Sequence, residues 1–233
     1  MIQINTVVKK YGKFKALDGV DITFNAGECI ALIGPNGSGK STLMKSILGM
    51  VLVESGDILF EGRSILNEWK YRDQIGYMPQ NGKYPDHMLV GQVIEMMSDI
   101  RKCKNPDLEL HDGFNLRAFY DKKMNALSGG MKQKVNASLA FLFNPDVYIL
   151  DEPTAGLDPI SVEILKEKIS KECAKGKLVI ITSHVLSDLD DLISRVVYMQ
   201  DGRVLFSKDR AELLQVSPSG TLSKALAITM KGL

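Results

Sequence analysis

The run Gly34-Pro35-Asn36-Gly37-Ser38-Gly39-Lys40-Ser41, followed by Thr42, matches the pattern G-x-x-x-x-G-K-[ST]. Glycines at this spacing let successive backbone N–H groups turn inward on an anion without Cβ clashes, and a helix opening at the end of the run adds favourable partial charge. In such a loop Lys40 reaches the outer phosphates of a nucleotide, and Ser41 holds Mg²⁺. A second stretch, Val147-Tyr148-Ile149-Leu150, runs into the adjacent carboxylates Asp151 and Glu152. Neighbours on a strand point to opposite faces, so at its end the two acids can divide two tasks. Asp151 suits a metal shell, and Glu152 suits polarising an attacking water. A tight strand-to-helix turn, or a strand entering a polar loop, explains either stretch alone. Together they favour the phosphate chemistry.

These groups need elements to position them. Ile2 and Ile4, then Val20, Ile22 and Phe24, alternate with polar residues as one-sided antiparallel strands do. Cys29 to Ile33 is an unbroken apolar run ending at the glycine loop, which suits a strand buried on both faces. Leu43, Ile47 and Met50 keep helical spacing beyond the loop, and a short strand is expected between Gly56 and Gly62. From about Pro85 to Met124 the β-branched runs vanish, while Val90, Val93, Ile94 and Met97 recur at helical intervals. Strand patterns return at Val147–Leu150, Leu178–Ile181 and Val196–Met199. Between the first two lies a helix for which Asp158 supplies the N-cap, Pro159 the first position, and Val162, Leu165, Ile169 and Cys173 the apolar stripe, with Gly176 near its end. Asp201-Gly202 reads as a hairpin turn. The expected picture is an α/β core carrying a helical insertion near residues 81 to 130.

Composition removes whole classes of function. The chain has 233 residues, with 45% apolar and 24% charged, so it is globular rather than disordered or collagen-like. Lys+Arg 29 against Asp+Glu 28 leaves a net charge of +1, which gives nucleic acid no overall electrostatic claim on it. Cys29, Cys103 and Cys173 are odd in number and far apart in sequence, so neither a disulfide framework nor a CxxC metal pair is expected. Residues 1–13 show no signal-peptide pattern, and the longest apolar candidate, near Ser138 to Leu150, is broken by Asn144, Pro145 and Asp146. The chain is therefore not expected to cross a membrane by itself. His87, Cys103 and His111 match no zinc spacing and are read as surface or packing residues.

Leu127-Ser128-Gly129-Gly130-Met131-Lys132-Gln133-Lys134-Val135 stands between the glycine loop and the Asp-Glu strand. Alone, Ser-Gly-Gly is a good helix N-cap. In this position it resembles the signature motif of the ATP-binding cassette (ABC) ATPases, and the likeness extends in the family's order along nearly the whole chain. Tyr11 stands where the family has an adenine-stacking aromatic, Gln80 in Tyr77-Met78-Pro79-Gln80 resembles the Q-loop glutamine, Ala155-Gly156-Leu157-Asp158 the D-loop, and His184 the switch histidine. Met131 and Lys134 depart from the commoner Gln and Arg, and lysine is a poorer planar fork than arginine.

The resemblance implies an α/β fold: a P-loop NTPase core with a mostly parallel central sheet, an N-terminal antiparallel β subdomain and a helical insertion. It implies one cassette made of a nucleotide-binding core (1–80 and 131–233) and a helical subdomain (81–130). It also implies ATP and Mg²⁺ as cofactors. Two such cassettes, identical or closely homologous, would face each other head to tail, with ATP between Gly34, Pro35, Asn36, Gly37, Ser38, Gly39, Lys40, Ser41 and Thr42 of one and Ser128, Gly129 and Gly130 of the other. Tyr11 and Asp158 join the nucleotide contacts, while Ser41, Gln80 and Asp151 surround the metal. Glu152, His184 and Gln80 do the catalytic work. A single compact cassette is similar to the energy-coupling subunit of a membrane transporter, held on the cytoplasmic face by integral permease subunits and leaning toward the exporter-type ABC-2 class. Tyr84, Pro85, Met88 and Met96 would anchor the permease. A soluble cassette ATPase acting in metallocentre or complex assembly is the alternative, and a P-loop kinase is disfavoured by the signature motif.

Overall fold

The computed structural model describes residues 1–102, 104–183, 188–216 and 221–231. Two sheets organise them. Strands β1 (Ile2–Tyr11), β2 (Phe14–Phe24), β4 (Ser55–Phe60) and β5 (Arg63–Ser64) form an antiparallel sheet in the order β2-β1-β4-β5. Strands β3 (Cys29–Ile33), β6 (Ile75–Met78), β7 (Val147–Asp151), β8 (Leu178–Thr182), β9 (Arg195–Gln200) and β10 (Arg203–Asp209) form the central sheet in the order β10-β9-β3-β8-β7-β6. Every pairing in it is parallel except β9 with β10. The helices are α1 (Lys40–Ile47), α2 (Val90–Arg101), α3 (Glu109–Gly113), α4 (Gly129–Phe141), α5 (Pro159–Ala174), α6 (Arg210–Gln215) and α7 (Leu222–Lys231).

The unbroken apolar runs follow from a central sheet covered on both sides. Ile30, Leu32, Val147, Ile149, Leu178 and Ile180 face a core shared with the antiparallel sheet and Leu43, Met44 and Ile47 of α1. Their strand neighbours Ala31, Ile33, Tyr148, Leu150, Val179 and Ile181 face the opposite core, with Val93, Val135, Leu165 and Ile169 from α2, α4 and α5. Alternation that is invisible in hydropathy alone thus reappears as a division between two cores. The hairpin at Asp201-Gly202 forms as expected, both residues having positive φ (49° and 76°).

Two expectations change. The helix after the glycine loop ends at Ile47, and Met50 lies beyond it with 62% of its surface exposed. The buried face of α5 is also more polar than its apolar stripe suggested: Leu165 and Ile169 are buried, Val162 and Cys173 only half-buried, and Ser161, Lys168 and Glu172 are buried with them. Charges survive there because they are paired. Lys168 Nζ lies 2.5 Å from Asp107, 2.9 Å from Glu109 and 2.9 Å from Glu172. Glu172 also pairs with Lys175 at 2.8 Å and Lys177 at 2.7 Å, and accepts a hydrogen bond from Tyr148 at 3.3 Å.

Burial alone would raise the Glu172 carboxyl, but Lys175, Lys177 and Lys168 outweigh it and hold its pKa at about 2. A carboxyl depressed in the folded state adds stability above its unfolded pKa, and that stability is lost as pH falls through the folded value. Glu172→Gln is expected to cost about 3 kcal/mol at neutral pH and to lower Tm by roughly 10 °C. The difference from wild type should shrink between about pH 4.5 and pH 2. Thermal unfolding followed by circular dichroism checks this, and an unchanged Tm at pH 7 would contradict it.

Candidate nucleotide site

The glycine loop crosses from β3 to α1 at the carboxyl edge of the central sheet. Gly34 has φ 152°, and a Cβ there would lie 2.0 Å from the Met199 carbonyl oxygen, so a side chain has no room. The β9–β10 hairpin braces the loop from outside: Gly202 N donates to the Ser38 carbonyl at 3.1 Å and Asp18 N to the Gly202 carbonyl at 2.9 Å. No side chain caps the first turn of α1. Its N-terminus therefore keeps backbone donors and positive partial charge for an anion.

Asn36 to Thr42 line an open cleft of about 420 Å³ together with Tyr11, Phe14, Ala16, Gln80, Asp151, Glu152 and Thr182. The Lys40 ammonium donates to the carbonyls of Gly34 (2.7 Å) and Pro35 (3.0 Å). Burial lowers its pKa, while the charges of Glu152 and Asp151 pull the other way. At the facing wall, Thr182 Oγ1 donates to Asp151 Oδ1 at 2.5 Å, and Glu152 N donates to the Thr182 carbonyl at 3.0 Å. Glu152 itself takes a left-handed backbone conformation, φ 53°. Tyr11 and Phe14 flank the other end, each more than half exposed. A loop of inward donors, a lysine, two acids and exposed aromatics form a surface for a nucleotide polyphosphate with its base.

Residues 17–155 match the ABC transporter family. The chain belongs to that family. Its relatives include the lantibiotic transport ATP-binding protein SrtF of Streptococcus pyogenes, 32% identical over 90% of this chain and 91% of the relative. Nod factor export ATP-binding protein I of Rhizobium meliloti is also 32% identical, over 87% of this chain and 62% of its own length. Among solved structures, an ATP-binding subunit of an ABC transporter matches with a TM-score of 0.87 at 26% identity, covering 97% of this chain and 98% of that one. A dimeric cassette in a post-hydrolysis state, bound to ADP and Pi, matches with a TM-score of 0.78 at 25% identity, covering 90% and 98%. The cassette is an α/β ATPase that binds and hydrolyses ATP.

Of the remaining expected residues that are described, Gly34, Pro35, Ser128, Gly129, Gly130 and Asp158 do not line the cleft. Ser128 caps α4, its Oγ accepting from Met131 N at 3.3 Å, and neither it nor Gly129 nor Gly130 lines the cleft of its own chain. Asp158 caps α5, accepting from Ser161 N at 3.0 Å, and pairs with Lys134 at 2.8 Å. The Lys134 ammonium, then Ser161, hold the Asp158 carboxyl well below the usual carboxylate range. The lysine at the signature's departing position thus ties α4 to the D-loop. His184 lies outside the described residues, as does Cys103. His111 is buried, its ring bonded to Asp112 at 2.8 Å and to the Tyr120 hydroxyl.

Sequence reasoning missed three contributors. Thr182, at the end of an apolar strand, orients Asp151, and only its terminal position hinted at this. Phe14 had no distinguishing signal. Gln133 was quoted within the signature stretch without a role, yet it is 5% exposed and its Nε2 donates to the carbonyls of Glu152 (2.8 Å) and Pro153 (3.3 Å).

Lys40→Ala removes the cleft's only lysine donor among the described lining residues. Charge-assisted hydrogen bonds contribute about 1.5–3 kcal/mol, so ATP affinity should fall roughly 10- to 100-fold. Equilibrium binding of a fluorescent ATP analogue measures it. Affinity within twofold of wild type would exclude the lysine from the site.

Proposed function

We propose that the cleft holds ATP with Mg²⁺ and that the cassette works in head-to-tail pairs that power a membrane transporter. The observation that carries this reading is the separation of phosphate-binding groups. The Asn36–Thr42 loop, Gln80, Asp151 and Glu152 converge on one cleft, whereas the N-terminal turn of α4, with Ser128, Gly129 and Gly130, does not line it. A second cassette supplies its own α4 terminus to complete each site. Both helix N-termini then attract the triphosphate, so ATP glues a pair that ADP holds poorly.

The Ser41 hydroxyl and the Asp151 carboxylate, with Gln80 at the rim, are the hard oxygen donors that Mg²⁺ takes. When bound, the ion offsets charge on the phosphates. Tyr11 stacks on the adenine, with Phe14 beside it. The Lys40 ammonium exchanges its loop carbonyls for the β- and γ-phosphates. Glu152 orients the attacking water and draws off its proton, while Gln80 and His184 respond to the γ-phosphate. Asp158 fixes the D-loop near the subunit boundary. Loss of the bridging phosphate lets the pair part, a two-state element biased by its ligand.

The division into a nucleotide-binding core (1–80 and 131–233) and a helical subdomain (81–130) belongs to this reading. A groove of about 260 Å³ lies where the two meet, lined by Met50, Arg72, Tyr77, Tyr84, Met97, Arg101 and Phe143 among others. It fits a short helical segment of a permease. Of the anchors expected there, Tyr84 lines the groove, with burial pushing its phenol up to about 12, whereas Met88 packs against the core. Among the described residues no helix is long and apolar enough to cross a membrane, so the cassette would sit on the cytoplasmic face through its permease. The relatives' names favour transport over metallocentre assembly, and lantibiotic transport and Nod factor export favour an exporter.

Two measurements test this reading. Glu152→Gln should keep ATP affinity and lose at least about 100-fold in steady-state phosphate release. Wild-type turnover in that variant would place the base elsewhere. Purifying the tagged chain from gently solubilised membranes should recover a polytopic membrane protein in near one-to-one ratio. Recovery with soluble scaffold proteins alone would refute the transport role and leave the ATPase intact.

A further inference from the structure

We infer that Gln133 is a positioning residue for ATP hydrolysis: from the signature helix it sets the backbone of Glu152 in its own chain. The inference rests on the reading of Glu152 as the base. Glu152 holds a left-handed conformation, φ 53°, that a glutamate adopts only when its surroundings impose it. The next residue is Pro153, which narrows the choices for Glu152 further and brings no N–H of its own to the turn. The restraint comes from both sides. Thr182 accepts from Glu152 N with its carbonyl (3.0 Å) and its hydroxyl (3.2 Å). Opposite, the buried amide of Gln133 donates to the Glu152 carbonyl at 2.8 Å and the Pro153 carbonyl at 3.3 Å. An amide NH₂ has two donors, so one side chain can hold two carbonyls.

The helix that carries Gln133 has a second task. Gly129 and Gln133 are four residues apart on α4 and share a face, as do Gly130 and Lys134. The first turn is the part proposed to grip the partner's ATP. The next turn holds Glu152 through Gln133 and the D-loop through the Lys134–Asp158 pair at 2.8 Å. The start of α4 also abuts the D-loop backbone closely, because a Cβ on Gly130 would lie 2.5 Å from the Gly156 carbonyl oxygen. One rigid helix therefore links the ATP gripped in one site to the base working in the other. A shift of α4 on closure is transmitted to the Glu152 carboxylate, and a misplacement near 1 Å costs about 100-fold in rate.

The test is steady-state ATP hydrolysis by Gln133→Met, which keeps the volume and removes both donors. Gln133→Leu is run beside it, because its side chain likewise has no donor. Rates are normalised to ATP-binding sites titrated in the same sample, and Glu152→Gln is the parallel control. Both Gln133 variants should lose at least about tenfold in kcat, with KM for ATP within about twofold of wild type. A role confined to packing would lower Tm and the number of binding sites while leaving kcat per site unchanged. That result in either variant, with Glu152→Gln inactive, overturns the inference alone. An active Glu152→Gln overturns the reading of the base beneath it.

Discussion

The cleft depends on one register. Leu32 of β3 pairs with Thr182 of β8, and Thr182 pairs with Asp151 of β7, so three parallel strands end in a single row. The glycine loop leaves β3 just beyond that row, Asp151 closes β7 within it with Glu152 just after, and Thr182 bonds to both. A slip of one residue in β7 would turn Asp151 to the opposite face and Glu152 with it. Such a slip is suppressed because every strand in the row is buried on both faces, where exchanging inward sets disrupts two cores at once.

Polar groups are placed where this frame leaves them partners. At the carboxyl edge, Asp151, Glu152 and Lys40 lie within mutual electrostatic reach, with Thr182 fixing the acids. On the helical side of the sheet, α5 carries Lys168 and Glu172 into the interior, where neither charge would survive unpaired. Asp107 and Glu109, from the helical insertion, complete that network. The insertion is thereby fastened to α5, whose cap, Asp158, is itself tied to α4. The helical insertion, α5 and α4 are thus joined by ion pairs and hydrogen bonds rather than by a broad apolar contact alone.

Much of this was legible in the residues. The phosphate loop, the buried strands, the Asp158 cap with Pro159, and the Asp201-Gly202 turn each follow from local chemistry that tertiary context reinforces. The family's landmark order then placed Tyr11, Gln80 and Asp151 on one cleft before any geometry was known. What remained hidden has physical reasons. Lys168 and Glu172 count as surface residues in a hydropathy pattern, because pairing is a property of neighbours far away in sequence. Met50 continued a helical spacing that Gly49, at φ 64°, ends. The brace from Gly202 to the Ser38 carbonyl uses backbone atoms alone, which no side-chain pattern encodes. Gln133 sat within a motif whose serine and glycines drew the functional reading, while its partners are main-chain carbonyls.

The central claim is that ATP itself joins two cassettes by adding the α4 terminus of one to the phosphate loop of the other. Multi-angle light scattering on Glu152→Gln, with saturating ATP and then with ADP, tests it most directly. The account requires twice the monomer mass with ATP and the monomer mass with ADP. A monomer under both nucleotides, with ATP binding verified in the same sample, would contradict it.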